Sequence, residues 1–390
     1  MKKYVYALTS CLIFMLTACT FGNKRENNGE TAIMVDGYAW GTMPQKGQDD
    51  EVYCNQPVNI NGLDGVIPMC YDSFYNILYY VNYGADYCIY ACREGRTEKV
   101  AEVPAKRLFC REGKLYFMVE SYGRNIPDGL ENGNILQYDP VSGQVQTLVT
   151  KQASSMIVYQ DGIYYAIEEK QEAADGIHSI VDRTLEYYKF ADSSVEELKE
   201  MDGLDRTMFR CGQDFLFYVV EPYEGDDEEL LRLAGGGDIT MSVGMKLGDR
   251  NMQEGRVLDN LLTFRFIAAG QVIYYLDNQE SQSEFAVYHT SSMEEDRFAL
   301  ASKEQGNFIV FDGKVYFDDL CTLDLQSGEE MTLTAEGMYG VIEWYTDGEN
   351  LYGLCLVEEE GKNVVRFGSL ELQGKVLYFH LLAGEENGHA

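Results

Sequence analysis

Short apolar runs closed by tight turns recur along this chain, and a similar aromatic strand follows each turn. The pattern is read in Asn76-Ile77-Leu78-Tyr79-Tyr80, Gly113-Lys114-Leu115-Tyr116-Phe117 and Asp161-Gly162-Ile163-Tyr164-Tyr165. It returns in Gly212-Gln213-Asp214-Phe215-Leu216-Phe217-Tyr218 and Gly270-Gln271-Val272-Ile273-Tyr274-Tyr275. Asp312-Gly313-Lys314-Val315-Tyr316-Phe317 and Asp347-Gly348-Glu349-Asn350-Leu351-Tyr352 complete the series. From Gly113 onward the marker glycines stand 49, 50, 58, 43 and 35 residues apart. Spacings of that size suit units of four strands. Glycine at the turn supplies the positive φ that tight hairpins need.

Each copy has similar surroundings. An apolar strand precedes the turn, as in Met156-Ile157-Val158-Tyr159 and Phe308-Ile309-Val310-Phe311. A third strand follows, as in Ile135 to Asp139 or Phe285 to Tyr288, and a second turn leads to a fourth. Asp139-Pro140-Val141-Ser142-Gly143 and Asp324-Leu325-Gln326-Ser327-Gly328 mark that second turn. Four antiparallel strands repeated radially bury each other's faces, which predicts an all-β fold, a β-propeller of about seven four-stranded blades. The alternative is one or two β-sandwiches, against which the seven copies weigh. The fourth unit is the least regular, with Gly235-Gly236-Gly237 and Met241 to Gly255 read as an insertion. The strand near Ile33 is expected to complete the last blade. Ser194 to Met201 carries a helix-capping pattern, but the repeat makes it a fourth strand.

Composition agrees with a β-rich chain: 29 Tyr and 18 Phe with only 7 Pro in 390 residues. The amino terminus reads differently. Lys2 and Lys3 precede an uncharged, mostly apolar stretch from Tyr4 to Leu16, and Leu16-Thr17-Ala18-Cys19 follows the plan of a bacterial lipobox. The expectation is a signal peptide over residues 1–18 and a lipid on Cys19. Residues 19–50 then form a flexible tether, polar around Asn23 to Glu30 and strand-like only from Thr31 to Gly41. The propeller occupies 51–382, and 383–390 is a disordered tail. Localisation follows as the extracytoplasmic face of a bacterial cell membrane, held by the lipid.

The net charge of −33 excludes nucleic-acid binding through phosphate neutralisation. Eight cysteines remain beyond Cys19: Cys54, Cys70, Cys88, Cys92, Cys110, Cys211, Cys321 and Cys355. Most lie in apolar strand patterns, which favours buried free thiols. Cys88 and Cys92, four apart in a strand, stand roughly 13 Å from one another and do not pair.

At these aromatic strands the chain resembles bacterial propeller lipoproteins of the TolB and low-density-lipoprotein-receptor-like types, over about residues 66 to 382. Trp344-Tyr345-Thr346-Asp347-Gly348 is similar to the receptor propellers' Tyr-Trp-Thr-Asp signature, with the aromatics exchanged and in one copy only. The resemblance implies extracytoplasmic binding or scaffolding.

Catalytic motifs do not emerge. His178, His289, His380 and His389 stand far apart without a partner pattern, and no catalytic residue is assigned. The acidic run Glu221, Glu224, Asp226, Asp227, Glu228, Glu229 offers oxygen ligands for Ca²⁺ but lacks the alternating order of a calcium loop. No metal or other cofactor is therefore assigned. Loops joining second to third strands share one face of a propeller and are long at Ser121 to Gly133, Glu168 to Arg183 and Glu221 to Glu229. They offer Tyr122, Arg124, Asp128, His178 and Tyr223 as candidate ligand-binding residues, a set suited to a glycan or peptide. The expected role is that of a non-enzymatic, membrane-anchored binding or scaffold protein with a protein or glycan ligand. The alternatives are a propeller glycoside hydrolase with paired carboxylates, or an envelope assembly accessory.

Overall fold

The computed structural model describes residues 26–27, 30–31, 33–43, 58–59, 68–84, 86–159, 162–172, 179–198, 208–211, 214–222, 241–248, 256–258, 265–269, 272–277, 284–301 and 307–382. Every regular element among them is a β-strand, and no described helix is long and apolar enough to cross a membrane.

Among the described residues the strands form one eight-stranded, three four-stranded and two five-stranded sheets and one separate pair, and in chain order most of them fall into seven antiparallel groups of four, the eight-stranded sheet holding two of these. The first is Met69–Asp72, Ile77–Val81, Cys88–Arg93 and the leading half of Arg96–Arg111. The second takes the trailing half of that same strand with Lys114–Val119, Ile135–Asp139 and Gln144–Val149. One sixteen-residue strand therefore serves two units, bent by a bulge between Lys106 and Leu108. The third unit runs from Ala153–Tyr159 to Val195–Glu197, and the fourth from Met208–Cys211 to Arg256–Leu258. The fifth spans Arg265–Ala269 to Glu294–Ala299 and the sixth Phe308–Phe311 to Glu330–Thr332. The seventh comprises Gly340–Thr346, Leu351–Glu359, Lys362–Gln373 and Val376–Leu381.

The turn chemistry explains the register. Glu112-Gly113, Asp312-Gly313 and Glu360-Gly361 place both central residues at positive φ, the mirror-image turn whose twist matches the flanking strands. In the outer hairpins Asp139 and Asp324 each accept two backbone N–H groups through Oδ1 at 2.8–3.3 Å. Gly143 and Gly328 then close the loops at φ 73° and 72°.

Neighbouring units share apolar cores. Tyr79, Val81, Leu115 and Tyr138 join the first to the second, and Phe109, Met118, Ile163 and Tyr165 join the second to the third. The first strands of the third, fourth and fifth units lie side by side. Phe285, Phe308, Trp344 and Leu370 belong to one core through the fifth, sixth and seventh. The seventh packs in turn on the first, where Met69, Leu78 and Tyr80 meet Tyr345, Tyr352 and Phe367.

Four sequence expectations change. The strand near Ile33 does not complete the last unit: Met34–Asp36 pairs with Gln144–Val149 on the outer edge of the second. The last unit has four strands of its own, and Thr334–Glu336 already lies parallel to its outermost strand. The segment continues across the first unit, where Tyr38 N–H donates to the Val100 carbonyl at 2.8 Å. Gly37 and Gly143 pass so closely that a Cβ on either would meet the other's carbonyl oxygen at 2.7–2.8 Å. Met241–Gly248, read as insertion, is the third strand of the fourth unit, because it pairs in full with Asp214–Pro222. The long loop from Glu168 to Arg183 begins and ends as paired strand, extending the hairpin of the third unit. Finally, Cys70 and Cys110 form a disulfide across the first strands of the first two units, while Cys88, Cys92, Cys321 and Cys355 are free.

Candidate functional site

The second-to-third-strand connection of the first unit is short, and backbone bonds shape it. Asn82 N–H donates to the Cys88 carbonyl at 2.9 Å, and Tyr87 N–H returns to the Asn82 carbonyl at 2.9 Å. Tyr87 is forced to φ 60°. The loop thus presents Tyr83 and Tyr87 together, their rings edge to face at 5.7 Å.

The equivalent loop of the second unit meets it. Ser121-Tyr122-Gly123-Arg124 is a tight turn with Tyr122 at φ 47° and Gly123 at 77°, closed by Arg124 N–H to the Ser121 carbonyl at 2.7 Å. Asn132 Oδ1 accepts from Ser121 N–H at 2.8 Å, tying the turn to the returning limb. Gly133, at φ 83°, lies against Ala153, whose backbone N and O a Cβ would meet at 2.6 Å. Glycine alone allows that approach. Tyr122 stacks on Tyr87 with ring centroids 4.6 Å apart and 22° between planes. A non-glycine residue at positive φ costs about 1–3 kcal/mol. Two tyrosines carry that strain here, and they are the two in the stack.

The seventh unit contributes a charge near these rings. A bulge between Val341 and Glu343 breaks the register at the start of its first strand. Glu343 and Tyr345 then share one face of that strand while Trp344 turns into the core against Tyr316, 5.6 Å between rings. The Tyr345 hydroxyl donates to the Glu343 carboxylate. Burial raises the Glu343 carboxyl above its ordinary value, and the Tyr345 bond offsets part of this. Tyr83 and Tyr122 are likewise raised, first by burial; the nearby Glu343 charge adds to both. Their hydroxyls are buried beside one another and interact, the contact raising Tyr83 and lowering Tyr122.

The junction of the first, second and seventh units is therefore an aromatic cluster with one buried acid. The Arg124 guanidinium lies over the Tyr87 ring at 5.8 Å, exposed at its rim. Lys106 and Glu120, paired at 2.9 Å, neutralise each other beside Tyr122.

Of the residues expected from the sequence, Tyr122 and Arg124 come together here. Asp128 is exposed farther along the same loop. His178 and Tyr223 lie outside the described residues, as do Cys19 and the acidic residues 224–229. Tyr83, Tyr87, Glu343 and Tyr345 were not anticipated. Loop length points to the long loops, whereas Asn82 to Tyr87 is short, its sequence signal being two tyrosines flanking Gly84, Ala85 and Asp86. Glu343 is a single acid among 64 Asp and Glu.

One other cluster offers metal-type ligands: Asp86, Cys88 and Glu102 converge within 4.8 Å. Lys99 already sits there, its Nζ 2.7 Å from Asp86 and 2.9 Å from Glu102. The Cys88 thiol is pushed up to about 12, by burial and then by Asp86, so it stays protonated at neutral pH. A resident ammonium and a protonated thiol make a structural ion pair, a poor metal site. The two described histidines pair with acids, His289 with Asp296 at 3.2 Å and His380 with Glu371 at 3.4 Å, both on the surface.

The raised Glu343 carboxyl has a stability consequence. A carboxyl with a higher pKa folded than unfolded binds its proton more tightly in the native state. Its ionisation therefore costs stability as pH rises from the ordinary carboxylate range through the folded value. Glu343→Gln is expected to raise the melting temperature at pH 7 and to leave it nearly unchanged at pH 4. A lower melting temperature at pH 7 would show that the charge stabilises the fold.

No protein-family model and no curated protein matches this sequence. Among solved structures the chain is similar to TolB from Acinetobacter baumannii, at 10% identity and a TM-score of 0.37 over 62% of this chain. The chain spans 58% of that TolB chain. It is also similar to a chain of a nidogen/laminin complex, at 14% identity and TM-score 0.35, covering 65% of this chain and 91% of that one. A polysaccharide lyase, an ulvan lyase, shares 11% identity at TM-score 0.28 over 86% of each chain.

Proposed function

We propose that this chain is a lipid-anchored, non-enzymatic binding protein on the extracytoplasmic face of a bacterial membrane. Its body is a closed seven-bladed β-propeller, and its ligand contacts the face carrying Tyr83, Tyr87, Tyr122 and Arg124. The observation that carries the reading is the Tyr87–Tyr122 stack, built from two strained residues at the junction of three units. Strain of that kind persists only where the surroundings over-determine it, and it concentrates at ligand sites. Half-exposed tyrosines with an arginine at their rim are the side chains that protein and glycan partners engage. Closure is supported by the shared core of the first and last units, and export by the Lys2-Lys3 start and the Leu16-Thr17-Ala18-Cys19 sequence.

Two experiments test this. Cys19→Ala is expected to move the exported protein from the detergent phase to the aqueous phase in a detergent-partition assay. Retention in the detergent phase would disprove lipid anchoring at Cys19. The full chain, screened on glycan and peptide panels, is expected to bind without turnover, and Tyr122→Ala or Tyr87→Ala to lose binding at least about tenfold. Unchanged binding would remove this face as the site. Turnover abolished by Glu343→Gln would instead assign a hydrolase.

A further inference from the structure

The strap from Ile33 to Met43 fixes where the chain that leads back to Cys19 leaves the folded body. Met34–Asp36 runs antiparallel to Gln144–Val149, with Asp36 opposite Gln144 and Met34 opposite Gln146. Gln144 follows the second turn of that unit, whereas Val149 stands opposite Ile135, where the Ser121 to Gly133 loop returns. The strap therefore enters at the loop end of the second unit and passes to its turn end, where Trp40 N–H donates to the Pro140 carbonyl at 2.8 Å. At the loop end the Ile33 carbonyl accepts from Thr147 N–H at 3.0 Å. The Ile33 side chain lies against Gly129, whose added Cβ would meet Ile33 Cδ1 at 3.2 Å. Gly129 belongs to the same loop as Tyr122 and Arg124, so the chain toward Cys19 leaves beside the candidate ligand face.

Length limits how far that face can stand from a lipid on Cys19. Cys19 precedes Ile33 by 14 residues, about 50 Å of fully extended chain. Pairing of Glu26–Asn27 with Glu30–Thr31 shortens the span to about 35–40 Å. The strap from Ile33 to Trp40 by itself covers about 23 Å of the body's height. With the turn end on the membrane, the chain would spend most of its span in passing the body. With the loop end on the membrane it passes nothing.

The loop face also carries side chains suited to a headgroup layer. Tyr87 and Tyr122 are half-buried and Arg124 is exposed, while Tyr339 and Ile342 are 57% and 40% exposed. The last two stand at the loop end of the seventh unit's first strand, away from its Asp347 to Asn350 turn. Side chains with an apolar body and a polar tip settle at membrane–water interfaces. The net charge of −33 opposes close approach to anionic lipid. A short link offsets this, because it holds the face near the bilayer at an effective concentration on the order of millimolar.

We infer that the loop face is the membrane-facing surface of this protein, seated on the headgroups of the bilayer that holds the Cys19 lipid. The inference rests on the proposed lipid anchor and deepens the proposed binding face by naming its partner, a phospholipid surface.

The test uses the full lipidated chain in phosphatidylcholine vesicles. One fluorophore is attached through an encoded azidophenylalanine in place of Asn125, on the loop, or of Val141, in the second turn of the same unit; both positions are exposed. Strand Gln144–Val149 sets the two ends about 20 Å apart in height. Energy transfer to a headgroup-bound acceptor is therefore expected to be about twofold or more stronger from position 125. Vesicle binding should also cut iodide quenching at position 125 and leave it unchanged at position 141. Circular dichroism establishes folding, and Asp128, exposed on the same loop, takes the label if the Asn125 variant misfolds. Stronger transfer from position 141, equal transfer from both, or undiminished iodide quenching at position 125 in the anchored protein overturns the inference and leaves the anchor standing. A parent that stays out of the vesicles, or transfer that persists in Cys19→Ala, overturns the anchor and the inference with it.

Discussion

Phe367→Ala is expected to lower the free energy of unfolding by about 3–5 kcal/mol, the range for deleting a fully buried aromatic side chain. Phe367 is 0% exposed and stands on the third strand of the seventh unit. Its ring stacks on Tyr352 of its own unit at 6.0 Å and on Tyr80 of the first unit at 5.9 Å. It also meets Tyr345 at 5.8 Å, so the cavity left by alanine would open at the seam between the chain's two ends. The aromatic neighbours are themselves buried and have little room to collapse into the space, which places the cost in the upper part of that range. Urea unfolding followed by circular dichroism gives the number. Early proteolysis within residues 340–381 should accompany it, because the last unit is joined to the first by side chains rather than by a shared strand. A loss below about 1 kcal/mol would mean that the seam contributes little to holding the units together.

Removing the Cys70–Cys110 bond is expected to cost a similar amount by a different route. The bridge closes a loop with a sequence separation of 40, and the chain-entropy relation gives about 4 kcal/mol for a loop of that length. The effect acts mainly on the unfolded ensemble, which regains freedom when the bond is cut. Cys70→Ala with Cys110→Ala, or reduction of the parent, should therefore lower the urea midpoint by comparable amounts. Thiol counting after denaturation without reductant should leave these two cysteines unlabelled while Cys88, Cys92, Cys321 and Cys355 react. Labelling of Cys70 and Cys110 as well, with a midpoint insensitive to reductant, would show that the bond does not form in the protein.

The strand expectations succeeded wherever local chemistry was sufficient. Asp-Gly and Glu-Gly turns need no tertiary partner to choose their backbone angles, and the aromatic runs after them have the period of a strand. A repeat of antiparallel hairpins is legible in those signals. Partner choice was not local. Met34–Asp36 reads as a strand, yet nothing in it says which edge it joins; that is decided by the close passage of Gly37 and Gly143 and by Ile33 packing against the loop at Gly129. Met241–Gly248 reads as insertion because a glycine-rich stretch precedes it, and only its full pairing with Asp214–Pro222 restores it to the repeat.

The candidate site divides in the same way. Tyr122 and Arg124 were visible because they occupy a long loop on a predictable face. Tyr83 and Tyr87, from a neighbouring unit, and Glu343 and Tyr345, some 220 residues later in the chain, could not be grouped with them. Turn residues, strand period and repeat length are properties of a few adjacent residues, so the sequence by itself determined the all-β class and the succession of hairpins. The edge taken by the first strand, the Cys70–Cys110 pairing and the meeting of three tyrosines with one acid depend on contacts between distant segments. Those were decided only when the seventh unit packed against the first, since burial of Tyr80, Tyr345 and Phe367 in one core is what brings Glu343 to the tyrosines.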